Sequence, residues 1–125
     1  MHPFLIILCI SLLVTFLTEL TSNTATVETV LPIMAALAIA IEVNPLLFML
    51  PATISGSMAF MLPVATPPNA IVFGTRRLSV AEMARAGIFL NFYGVVIISL
   101  ITYFIAPLVF GIEEGVFPDW ARGLK

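Results

Sequence analysis

The sequence predicts an all-α membrane protein: a helical hairpin with a polar tip, a transmembrane helix broken inside the bilayer, and a terminal transmembrane helix. Three observations predict it. Of the 125 residues, 61% are hydrophobic and only 10% charged, with a mean hydropathy of +1.16, more apolar surface than a water-soluble fold can hide. The apolar stretches approach or reach membrane length. Two of the polar interruptions, Thr18 to Thr24 and Pro63 to Asn69, lie between apolar stretches and carry little charge. A net charge of -2 without any basic run excludes a nucleic-acid partner, and Cys9, the single cysteine, excludes an intrachain disulfide. No nucleophile-base pair or metal-ligand spacing occurs, so the sequence predicts no enzyme.

The first element, residues 1–45, reads as a hairpin that enters and leaves the bilayer on one side. Its first run, Phe4 to Leu17, is shorter than the roughly 20 residues a crossing helix needs. The polar tip at 18–24 follows, and then a second apolar run from Ala25 to Ile41. Phe4 to Phe16 could also be the core of a signal peptide, but Met1-His2-Pro3 lacks the usual positive charge and the sequence after Ala25 is again membrane-like. Glu42-Val43-Asn44-Pro45 is a turn, because Asn before Pro leaves the helical region.

Residues 46–75 form the broken helix. Leu46 to Leu62 is apolar, whereas Pro63-Val64-Ala65-Thr66-Pro67-Pro68-Asn69 holds three prolines that no continuous helix accepts. Ala70 to Phe73 resumes the pattern. Residues 76–87 are a loop containing Arg76, Arg77 and Arg85, three of the five basic residues, and the positive-inside rule places it in the cytoplasm. Residues 88–110 form the terminal spanning helix, and 111–125 a tail on the outer side with Trp120 at the interface.

Irregular backbone at membrane depth survives only where protein, water or a ligand satisfies it. Transporters use such breaks: helix starts face an anion, and unwound carbonyls hold the coupling cation. Ser22 or Asn23 is placed to cap the returning hairpin helix, and Thr66 to cap the helix after the second break with Pro67 in its first turn. Carbonyls near 18–21 and 63–65, with Thr hydroxyls and the Asn23 amide oxygen, supply the hard oxygen ligands that Na⁺ takes. Other residues have plainer roles. Thr15, Ser55 and Ser57 are expected to bond back to their own helices. Gly56, Ala52 and Ala59 let helices approach. Glu19 braces the tip by accepting backbone N–H groups, and Glu28 complements a helix dipole.

Thr18-Glu19-Leu20-Thr21-Ser22-Asn23-Thr24 resembles the second Ser-Asn-Thr motif of the divalent anion:sodium symporters, and Ala65-Thr66-Pro67-Pro68-Asn69-Ala70 resembles the unwound segment that follows it in that family. The resemblance covers nearly the whole chain. It implies that Ser22, Asn23, Thr24, Thr66 and Pro67 line a substrate site. It also implies a sodium site at Thr18, Thr21, Asn23 and the carbonyl of Ala65. Thr21 stands where a small residue contributing only its carbonyl would serve. The family's architecture implies further that this stretch is the C-terminal end of the second of two inverted repeats, in a dimeric, multi-pass protein of the cell (inner) membrane.

The resulting expectation is sodium-coupled symport of a dicarboxylate such as succinate, malate or fumarate by the complete protein. The alternatives are a permease for another oxyanion, sulfate or arsenite, coupled to protons, or an inert truncated fragment. The topology is directly testable. In a Cys9-free background in intact cells, an impermeant thiol reagent should label Trp120→Cys and spare Arg77→Cys; the reverse pattern would invert the orientation.

Overall fold

The structure, a computed structural model, describes residues 2–112 and 117–122. Those residues form helices and no strand. Helix α1 (Pro3–Leu17) opens on Pro3, with the His2 ring nitrogen accepting from Phe4 N–H at 3.2 Å. After a short tip, α2 (Asn23–Ala40) starts at the Ser22 cap and runs to a turn at Glu42, which has a φ of 56°. Asn44 then accepts from Leu46 N–H at 3.0 Å, turning the chain into α3 (Leu46–Ser55). A non-helical stretch leads to α4 (Pro67–Gly74), and α5 (Val80–Phe104) follows a tight turn. At Ile105 the helix is interrupted and restarts as α6 (Ala106–Phe110), with Pro107 in its first turn and Gly111 closing it at a φ of 64°. Pro107 has no N–H to continue the ladder. A short α7 (Asp119–Arg122) is the last described element.

Helix α3 is the hub. The arms α1 and α2 touch each other little; each packs instead against α3, which lies between them, while α5 runs along α1 and α3. The apolar core follows from this arrangement: Ile7, Ile10 and Val14 from α1, Val30, Met34 and Ala38 from α2, and Leu47, Phe48 and Ala52 from α3. Phe48 is completely buried. Burying such a side chain is worth about 1.5–3 kcal/mol in water, although within lipid the gain comes from packing. The outer face of α5 displays Phe89, Leu90, Phe92, Tyr93, Val96 and Phe104, as a helix with an apolar surrounding does. Among the described residues two stretches are long and apolar enough to cross a bilayer, α2 and the α5–α6 span from Val80 to Phe110; α1 and α3 are shorter.

The structure moves two predicted boundaries. The helix expected over Leu46 to Leu62 ends at Ser55, so the non-helical stretch runs from Gly56 to Thr66 and is longer than the expected 63–69. Backbone groups of this stretch are bonded by side chains from elsewhere, which removes the need for a helical ladder. The terminal helix begins at Val80 rather than 88, and Arg85 lies on it rather than in a loop spanning 76–87. The cause is a cap at Ser79, whose hydroxyl accepts from Glu82 N–H at 3.1 Å, with Glu82 itself in the first turn. Of the tail, 113–116 and 123–125 fall outside the described residues; Trp120 is exposed on α7.

Gly87 shows how closely α5 meets the non-helical stretch. A Cβ there would stand 2.2 Å from the Phe60 carbonyl oxygen and 2.6 Å from Met61 Cα, which are backbone atoms and cannot swing away. Gly56 is similarly tight, with a Cβ position 2.3 Å from Val27 Cγ2 on α2. Gly87→Ala should therefore destabilise the purified protein by about 1–3 kcal/mol, the usual cost of overpacking. Gly74→Ala, where nothing lies within 4 Å, is the control and should leave the melting temperature unchanged. Equal melting temperatures for the Gly87 variant and the parent would refute the contact.

Candidate functional site

The tip between α1 and α2 spans residues 18–22 and begins with a fully buried Thr18. Its hydroxyl oxygen lies 2.6 Å from Asn23 Oδ1 and 2.8 Å from the Gly56 carbonyl oxygen. A hydroxyl has one hydrogen to give, so it satisfies one of these acceptors and leaves an oxygen-rich point at the junction of α1, α2 and α3. Among the described residues no group of three or more His, Cys, Asp or Glu gathers to hold a metal. A cation at this junction would therefore be held by carbonyl, hydroxyl and amide oxygens, a neutral and hard donor set.

Thr21 turns elsewhere. Its hydroxyl oxygen lies 3.1 Å from Leu17 O and beside the Thr26 hydroxyl oxygen, which lies 2.9 Å from Ser22 O, so two hydrogens serve three contacts. The Thr21 carbonyl and the lone pairs of its hydroxyl oxygen remain for a role as ligand. Ser22 caps α2 by accepting from Ala25 N–H at 3.0 Å, and Thr66 caps α4 by accepting from Asn69 N–H at 3.3 Å, with Pro67 opening that helix. A capping hydroxyl accepts through a lone pair and keeps its proton, so both side chains remain donors. The N-terminus of α2 adds a partial positive charge. Ser22 and Thr24 are exposed and Asn23 is half-buried. Beside them lies a groove of about 390 Å³ lined by Asn23, Thr24, Val27, Glu28, Thr53 and Ser57.

Glu19 departs from expectation. It does not brace its own tip. Its buried carboxylate accepts from three successive backbone N–H groups of the non-helical stretch: Phe60 at 2.8 Å and Met61 at 3.0 Å through Oε1, and Leu62 at 3.2 Å through Oε2. Asn91, completely buried on α5, donates its amide to Oε1 at 2.8 Å. From the other side Asn69 donates to Ala59 O at 2.8 Å and Leu62 O at 3.0 Å, closing the loop onto the first turn of α4. Asn91 and Gly87 were not singled out in the sequence, and Asn69 was named there only as part of the second break, without a role. An asparagine in the middle of an apolar helix was a signal in plain view, since polar side chains at membrane depth are costly without a partner.

Thr18 and Asn23 are thus in contact, with Ser22 and Thr24 flanking them, and Gly56 joins them without having been predicted. Ala65 is buried, and its N–H donates to Leu62 O at 3.2 Å; the bonds of Ala65 and Thr66 stay within their own segment. The first predicted segment is linked through Thr18 to Gly56 and through Glu19 to 60–62, residues that precede the second predicted segment, and Asn69 of that second segment bonds to Ala59 O and Leu62 O. The expectation that Thr15 and Ser55 bond back to their helices fails: both hydroxyls are buried and bonded to no protein group, as is Ser11. Neighbouring Thr53 and Ser99 do bond back, to Met49 O and Val95 O.

Residues 1–111 match the family described as sodium:sulfate symporter transmembrane region. The sodium-dependent dicarboxylate transporter SdcS of Staphylococcus saprophyticus is 51% identical over 111 residues, covering 89% of this chain and 21% of that protein. The Na(+)/dicarboxylate cotransporter 3 of Rattus norvegicus is 48% identical over 120 residues, covering 96% of this chain and 20% of that protein. Its Homo sapiens counterpart is 46% identical over 119 residues, 95% of this chain and 19% of that protein. The chain therefore spans about one fifth of the length of the curated relatives it matches.

Proposed function

Because the chain belongs to the divalent anion:sodium symporter family, we propose that it forms part of a secondary transporter moving dicarboxylates together with sodium across the cell membrane. The observation that carries this reading is the meeting of Thr18 Oγ1, Asn23 Oδ1 and Gly56 O beside the start of α2. One face of the tip offers oxygens to a cation, and the adjacent helix start offers donors to an anion. Sodium is held by Thr18, the Thr21 carbonyl, Asn23 and the Ala65 carbonyl. One substrate carboxylate is held by Ser22, Asn23 and Thr24, with Thr66 and Pro67 completing the pocket wall. The substrates are C4 dicarboxylates of the succinate, malate and fumarate kind. Sulfate stands in the family description, but the relatives at about half identity carry dicarboxylate in their names, which favours that class.

In this reading α1 and α2 are a re-entrant hairpin opening to the outside, and α3 with α4 a transmembrane helix broken at the site. The α5–α6 span crosses the membrane from a cytoplasmic turn at Arg76 and Arg77. The complete protein is a multi-pass homodimer of the inner membrane, and its remaining helices supply the other half of the pocket.

Each capping hydroxyl gives one hydrogen bond to a charged oxygen, worth roughly 1.5–3 kcal/mol. In the full-length transporter carrying this segment, Ser22→Ala and Thr66→Ala should each raise the KM for succinate about tenfold or more while leaving membrane expression intact. Asn23→Ala should weaken sodium and substrate together and reduce the factor by which sodium tightens substrate binding, since that coupling is reciprocal. Succinate uptake that is independent of sodium, or unchanged kinetics in both hydroxyl variants, would defeat the assignment.

A further inference from the structure

The carboxylate of Glu19 is 3% exposed and has no cation beside it among the described residues. A buried charge without a counter-ion is costly unless hydrogen bonds replace its lost hydration. Here four donors do so, and three of them are the consecutive amides of residues 60–62, which no helix uses. The dependence is mutual. Without the carboxylate those part-buried amides would lose their partner, and the buried carboxylate would be stranded without them. The preceding residue, Thr18, holds the Gly56 carbonyl at 2.8 Å. Residues 18 and 19 therefore grip both ends of the 56–62 loop at once. Gly87, by lacking a Cβ, lets that loop lie directly on α5, where Asn91 meets the same carboxylate oxygen as Phe60 and Met61.

We infer that Glu19 is a positioning residue for the cation site: it fixes the non-helical stretch so that the Gly56 carbonyl stays in register with Thr18 and Asn23, and Asn91 anchors it to α5. This rests on the proposed sodium-coupled function and adds to it a residue that touches neither ion nor substrate. The groove lined by Asn23, Thr24, Val27, Glu28, Thr53 and Ser57 does not include it. Its loss should therefore be felt in sodium affinity, with substrate affinity following only through coupling.

Glu19→Gln is the sharp test, because the amide keeps an oxygen for Phe60, Met61 and Asn91 but turns an N–H toward Leu62 N–H. In succinate uptake by the full-length transporter, this variant should raise the sodium concentration for half-maximal rate about tenfold, as one charge-assisted bond of four becomes repulsive. The KM for succinate at saturating sodium should stay within about twofold of the parent value. Asn91→Ala should shift sodium dependence in the same direction by a smaller factor, and the double variant should fall short of the product of the two. If Glu19→Gln does not reach the membrane, Asn91→Ala decides: raised sodium demand sustains the inference, and unchanged sodium dependence overturns it. A parallel rise in sodium demand and in succinate KM at saturating sodium would also overturn it, leaving Glu19 a general packing residue. Ser22→Ala, run beside these, separates the two readings. If it raises succinate KM while Glu19→Gln leaves sodium dependence untouched, the positioning role fails and the proposed function stands.

Discussion

One buried carboxylate determines how the rest of this structure is arranged. Glu19 takes up the amides that a helix would otherwise have used, and α3 can end at Ser55 because of it. The ten-residue α3 is then short enough to sit between the arms of the hairpin, with Phe48 and Ala52 sealed in the core. The geometry at Thr18 follows from the same interaction, since the Gly56 carbonyl, at the C-cap of that helix, is left outside its ladder. A continuous helix through 56–62 would have spent this carbonyl on its own ladder.

The polar groups at the two breaks divide into those used up and those left over. Thr21 and Thr26 spend their hydroxyls on Leu17 O and Ser22 O, and Asn69 spends its amide hydrogens on Ala59 O and Leu62 O. What remains is an oxygen-rich point at Thr18, Asn23 and Gly56, and two capping hydroxyls whose hydrogens are uncommitted. Surplus acceptors suit a cation and surplus donors an anion. Finding both kinds of surplus at one tip, acceptors at Thr18 and Asn23 and a donor at Ser22, is the physical basis for reading the site as a place where two ions of opposite sign meet.

Much of this was legible in the sequence, because capping and proline chemistry are local. Ser22, Thr66 and Pro67 occupy the positions that their side chains dictate. The apolar runs located the helices, but the ends of two helices were misplaced for opposite reasons. The early end of α3 depends on Glu19, some forty residues away in sequence, and no pattern around 56–62 reveals it. The early start of α5 was written in Ser79 and Glu82, a capping pair overshadowed by the charges around it. The partnership of Glu19 with Asn91 lies beyond local reading altogether, since 72 positions separate them. The buried hydroxyls of Thr15 and Ser55 went the other way: a general rule about helices gave them partners that they do not have.

The missing Cβ at Gly87 has a mechanical consequence. Because main chain rests on main chain at Phe60 and Met61, the spacing there is not cushioned by side chains that could repack and let the surfaces slide. Together with the bond from Asn91 to Glu19, this rivets the hairpin tip, the 56–62 loop and the middle of α5 into one body. Such a body resists bending within itself, and any bending has to be taken up where the rivets stop. One such place is the tight turn before Ser79, where Arg76 has a φ of 60°; another is the interruption at Ile105, where the helical ladder is already broken.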